Sequence, residues 1–191
     1  WDWQNGHTDP ALGVLLVTAV NPLTTATELS QSIPHELTHL RLHRLAAGVQ
    51  LPFWYEEGMA LLVEGAQVGE TALETAVANG STLPLLTLCA AFPLQGEEVK
   101  LAQAQSVSLL RYIQAQFGNQ ALRQLATAYL NGAGCEAGLT QTLDTSLAEL
   151  NVNWLAAESP QPAWRIFLAQ NGLWLLLVLA SFGFMALLLR R

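Results

Sequence analysis

The sequence predicts an α+β, mainly helical domain with a small sheet near its N-terminus, followed by a single C-terminal transmembrane helix. Three observations predict it. Residues 11–20 (ALGVLLVTAV) form a short apolar, β-branched run before Asn21-Pro22, which reads as a buried or edge strand. Helical periodicity, punctuated by Gly and Pro, dominates residues 25–158. Residues 172–189 (GLWLLLVLASFGFMALLL) carry no charge and a single polar side chain, Ser181.

Thr25-x-x-Glu28 resembles a capping box and opens a helix that runs to about Ala47 and stops near Gly48. Pro34 lies inside it and either kinks it or marks its true start, with Ser32 as N-cap. Leu51-Pro52 breaks the chain, and a helix from about Tyr55 to Glu64 follows. Residues 71–78 make a short helix closed by Asn79-Gly80, and residues 81–93 read as a loop with apolar anchors. Residues 97–117 carry a helical stripe (Val99, Ala102, Val107, Leu110, Ile113) that ends at Gly118. Residues 119–130 and 141–155 also read as helices.

The apolar run at the C-terminus is long enough, at roughly 27 Å, to cross most of a bilayer core of about 30 Å. Trp164 and Trp174 suit an interfacial belt, and Arg190 and Arg191 close the span. The alternative is a buried core helix, which seldom carries so long an uninterrupted apolar run. The expected organisation is a globular domain over 1–158, a short stiff linker over 159–165, and a membrane helix with a basic tail over 166–191. Two arginines follow the span and one, Arg165, precedes it, so the globular domain is expected outside the cytoplasm.

With 191 residues, the chain holds one sizeable domain. Its mean hydropathy of +0.30 is high for a soluble domain because of the C-terminal run. All 15 Asp and Glu lie at or before Glu158, whereas three of the 8 basic residues lie after it. So acidic a domain repels nucleic-acid phosphates, which argues against a nucleic-acid partner. Cys89 and Cys135 either bridge in an oxidising compartment or stay buried thiols; neither belongs to a CxxC pair. The chain opens on Trp1 without a basic, signal-type stretch, which reads as a fragment or processed form.

The chemistry concentrates in His35-Glu36-Leu37-Thr38-His39, an HExxH motif. Residues four apart share a helix face, so both imidazoles reach one metal, and zinc is the ion that such a pair suits. Glu36, one position on, is free to take a proton from a water that the metal activates. A catalytic zinc needs a third protein ligand. The candidates are Glu57, Glu56, Glu64 and His43, and Glu57 stands out because it lies on the next helix with Gly58 after it, which permits close packing. A turn over residues 48–52 would fold that helix back across the first. His43 continues the first helix, and three ligands from one straight helix surround an ion poorly. His7, in a polar stretch, reads as a solvated loop residue.

HELTH followed by LPFWYEEGMALLVEG resembles the peptidase-MA-like gluzincin family of HExxH…E zinc metallopeptidases, related to the M1 aminopeptidase and thermolysin catalytic modules. The resemblance extends over about residues 11–156, through LPLLTLCAAFP and the later helical segments, and implies a zincin-like fold. It implies a zinc peptidase acting on peptides or proteins, with His35, His39 and Glu57 as ligands and Glu36 as general base. It further implies that residues 13–20 are the strand lining the cleft, with which an extended substrate would pair. The sequence departs from the family where members often carry an oxyanion-stabilising Tyr: here the segment is Ala102-Gln103-Ala104, leaving Gln103, Tyr112 and Tyr55 as candidate donors. That departure supports a second reading, an inactive zinc-stabilised, membrane-tethered binding or sensor module.

Overall fold

A computed structural model describes residues 6–9, 12–17, 25–65, 68–159, 167, 171–177 and 181. The chain divides into two compact units, Trp1–Glu158 and Ser159–Arg191.

The first unit begins with a hairpin. Strands β1 (Gly6–Asp9) and β2 (Val14–Val17) pair antiparallel, Thr8 opposite Leu15. Where the strands join, the Asp9 carboxylate accepts the Leu12 amide at 3.0 Å, and Gly13 leads into β2 at φ 65°. His7 therefore lies in a strand and not in the loop expected of it.

Helix α1 (Thr25–Ala46) continues through Pro34, which neither starts nor breaks it. Ser32, Glu36 and Leu40 are buried along one face, with His35 and His39 beside them. Helix α2 (Phe53–Glu64) follows a tight turn, and Pro52 at its N-cap accepts the amides of Tyr55 and Glu56 at 3.0 Å. α2 is sandwiched between α1 and the long helix α5 (Glu97–Leu130), which is the centre of the core. Gly58 makes that sandwich possible: a methyl group there would stand 2.7 Å from the Ser106 carbonyl and 2.8 Å from Leu110 Cδ1. The close neighbour of Gly58 is thus α5. Gly118 adopts φ 81°, ψ 172° within α5, so the element is two helices about a kink, as its Gly suggests.

Helix α3 (Glu70–Asn79) ends at left-handed Gly80. Helix α4 (Leu85–Ala90) replaces the loop expected over residues 81–93, because Leu85 and Leu88, one turn apart, both enter the core. The helix expected over 141–155 is interrupted. α6 (Cys135–Leu143) ends at Asp144 with φ 52°, and α7 (Leu147–Glu158) restarts where the Ser146 hydroxyl accepts the Glu149 amide at 3.1 Å. Trp54, Tyr55, Tyr129, Leu109, Leu125 and Trp154 are fully buried in the resulting core, each such side chain stabilising it by about 1.5–3 kcal/mol. Cys89 and Cys135 form a disulfide between α4 and α6 across 46 residues, which in a chain-entropy account stabilises by about 4 kcal/mol.

Of the second unit, the helical residues 171–177 are described, with Leu173, Trp174, Leu176 and Leu177 exposed. Among the described residues no helix is long and apolar enough to cross a membrane. Most of the span expected over 166–191 lies outside the described residues.

Candidate metal and catalytic site

α1 and α2 run antiparallel, so His35, His39 and His43 meet acidic residues of α2 in reverse order. His35 Nδ1 lies 2.9 Å from Glu64 Oε2, and His39 Nδ1 lies 2.9 Å from Glu56 Oε1. Glu56 Oε1 also lies 3.1 Å from His43 Nε2. The other nitrogens of the first two rings converge: His35 Nε2 and His39 Nε2 are 3.2 Å apart, and Glu57 Oε1 is 3.5 Å from His39 Nε2. One ligand atom from each of His35, His39 and Glu57 falls within 4.8 Å of the others.

This donor set fits zinc. With each Nδ1–H donated to a carboxylate, each neutral ring presents a lone pair at Nε2, and two lone pairs facing across 3.2 Å repel unless a proton or a metal ion lies between them. Nitrogens about 2.0–2.1 Å from a tetrahedral zinc stand roughly 3.3 Å from each other, close to the spacing present. Glu56 and Glu64, which the sequence offers as rival ligands, instead hold the outer nitrogens of the two imidazoles. His43 is half-exposed and touches Glu56, not the convergence point.

The charges are interdependent. Burial opposes protonation of His39, but its hydrogen bond to Glu56 and the charges of Glu57, Glu56 and Glu36 prevail and raise its pKa. Burial raises the Glu57 pKa, against the pull of His39 and His35. Burial also acts to raise Glu56, but the His39 hydrogen bond and the positive His39 and His43 outweigh it and hold the carboxyl below its usual range. A dication among these groups would compete with protons, whose binding the raised pKa values of His39 and Glu57 favour.

A cavity of about 380 Å³ opens beside the cluster. Its wall takes Glu36, His39, Glu56 and Glu57, Thr8 from β1, and an apolar strip of Val49 and Leu51 from the connection between α1 and α2 with Phe53 from the start of α2. Glu36 is buried, and the Thr8 hydroxyl lies 2.6 Å from its Oε2. Among the described residues, the hairpin strand that reaches the cavity is β1; residues 13–17 do not line it, and residues 18–20 of the stretch expected to do so lie outside the described residues.

The candidate oxyanion donors lie elsewhere. Tyr55 is buried against Trp54 and Tyr129. Tyr112 lines a separate cavity between α3, α5 and α7. Gln103 is absent from the lining of the metal-side cavity, whereas His43 belongs to it.

A protein-family model described as the peptidase MA superfamily matches residues 2–158. The chain belongs to the peptidase MA superfamily. Membership supports a peptidase, and hence a hydrolase, and the superfamily is generally metal-dependent. The match covers the whole of the hairpin and helices α1–α7, so the HExxH helix and α2 stand in their family context. No curated protein and no solved structure matches the chain.

Proposed function

We propose that this member of the superfamily is a zinc-dependent peptidase of zincin-like fold, in which His35, His39 and Glu57 hold the ion and Glu36 is the general base. The observation that carries the reading is the pair of facing Nε2 atoms, 3.2 Å apart, whose rings are each committed at Nδ1 to a carboxylate. When bound, zinc supplies Lewis acidity, polarising a scissile carbonyl and making water a nucleophile near neutral pH. Glu36, on the cavity wall, takes the proton of the attacking water and returns it to the leaving amine. Glu56 and Glu64 fix the tautomers and orientations of the imidazoles. The apolar strip of Val49, Leu51 and Phe53 gives a peptide side chain a dry surface beside the reacting bond.

We propose further that residues 166–191 tether the domain to a membrane with the site outside the cytoplasm. The uncharged run over 172–189 and the disulfide, a bond that persists in oxidising compartments, support this.

The full chain in detergent, loaded with zinc, should cleave casein or a peptide library and stop when a chelator removes the ion. The absence of Tyr55, Tyr112 and Gln103 from the cavity favours the second reading, a zinc-stabilised binding module. Stoichiometric zinc with no cleavage of any library member would select it.

A further inference from the structure

We infer that Thr8 is a positioning residue for the general base Glu36, an inference that rests on reading the site as a zinc peptidase. Thr8 stands 28 residues before Glu36 and reaches it from the hairpin. Its Oγ1 lies 2.6 Å from Glu36 Oε2 and 3.0 Å from the Glu36 main-chain oxygen. A hydroxyl has one proton. The shorter contact has the length of a charge-assisted O–H···O⁻ bond, so the proton goes to the carboxylate.

The fold explains why this strand delivers a donor there. Thr8 pairs with Leu15, and alternation puts both on one face of the hairpin. Leu15 and Val17 are half-buried, whereas Val14 and Leu16 are exposed, so this face is the one turned to the protein. Threonine combines a β-branched carbon that suits a strand with the hydroxyl that the site uses.

The hydrogen bond has two consequences for Glu36. It fixes Oε2 and still leaves the carboxylate lone pairs to take a water proton. It also fastens the head of a side chain with three rotatable bonds, and it does so from a second element, while the Thr8 oxygen touches the backbone of the same glutamate. A base held in one conformation before substrate arrives has less freedom to lose in the transition state. Both polar contacts of the Thr8 hydroxyl go to Glu36 and neither to a candidate ligand, so its removal should leave metal binding intact.

Thr8→Val preserves shape and removes the donor; Thr8→Ser preserves the donor. Both are made in the full chain and assayed on one peptide substrate, with zinc content and Tm measured alongside and all rates taken well below the lowest Tm. Thr8→Val should lower kcat about 10-fold or more, with KM within about 2-fold of the parent and zinc stoichiometry unchanged. Thr8→Ser should return kcat to within about 3-fold of the parent. Parental kcat in Thr8→Val, an equal fall in both variants, or a fall matched by lost zinc would each overturn the role. A parent that cleaves while Thr8→Val cleaves equally well removes Thr8 alone; a zinc-loaded parent that cleaves nothing removes the peptidase reading and Thr8 with it.

Discussion

His35 and His39 point their Nε2 atoms at each other across 3.2 Å while donating at Nδ1 to Glu64 and Glu56, both 2.9 Å away. All three carboxylates around the two rings come from α2. One helix thus supplies the pair of imidazoles, and its antiparallel neighbour supplies the third candidate ligand, Glu57, together with both orienting groups.

Glu36→Gln separates binding from chemistry. The amide keeps the side-chain shape but cannot accept the water proton. Cleavage should fall by about 100-fold or more, the usual contribution of a general base, with zinc content by elemental analysis equal to the parent. A variant with full activity would remove Glu36 from the mechanism.

Glu56→Gln and Glu64→Gln address the outer nitrogens. A neutral amide is a weaker partner for the Nδ1 proton and loosens the imidazole. Each substitution should weaken zinc affinity by about 10–100-fold in a competition titration with a chromophoric chelator, whereas Glu57→Ala should abolish stoichiometric binding. Unchanged affinity in both Gln variants would mean that the 2.9 Å contacts do not orient ligands.

Much of this arrangement is legible in the sequence because it is local. The i, i+4 spacing of His35 and His39 needs only a helix, and Pro52 and Gly118 announce the start of α2 and the kink of α5. Glu57 is legible through the Glu-Gly pair and the family resemblance. The roles of Glu56 and Glu64 are not, since choosing among three acids on α2 requires its rotation relative to α1. Other local signals are weaker than the apolar periodicity around them: Asp9 with Gly13 flanks the hairpin connection, and Ser146-x-x-Glu149 marks the fresh start of α7 inside an apolar periodic run. Thr8 meeting Glu36 has no sequence signature, because no periodicity links a hairpin to a helix 28 residues on. Two cysteines alone could not decide a disulfide; the packing of α4 near α6 does.

The metal-free domain should lose stability as pH rises above 6.5, the ordinary imidazole value that His39 exceeds. His39 has its pKa raised above 6.5, so its contribution is full below that value and is lost as pH climbs through the raised pKa. Glu57, raised above 4.5 by burial, acts in the same direction as its ionisation becomes costly. Glu56, lowered below 4.5, acts oppositely: its contribution is present above that value and disappears as pH falls through the lowered one. Zinc held by His39 and Glu57 would compete with their protons, so the Tm gain on adding zinc should grow across the same rise in pH. A zinc-induced gain that shrinks toward alkaline pH would contradict this coupling.

Gly58→Ala tests whether the α2–α5 approach holds Glu57 in place. In an exposed helix, alanine would gain about 1 kcal/mol over glycine. Here the added methyl meets the Ser106 carbonyl at 2.7 Å, and a main-chain oxygen inside a packed helix cannot swing aside as a flexible side chain would. The expected result is a net loss of about 1–3 kcal/mol in denaturant unfolding. Because Glu57 is the preceding residue, pushing α2 off α5 also moves its carboxylate relative to His39, so zinc affinity should fall with stability. Gly80→Ala supplies the contrast. Gly80 caps α3 at φ 65° with open space around it, so alanine there strains the backbone by about 1–2 kcal/mol without touching α1 or α2. Zinc affinity should drop in Gly58→Ala and hold in Gly80→Ala at comparable loss of stability. Parental affinity in Gly58→Ala would show that the close approach of α2 and α5 does not govern where Glu57 stands.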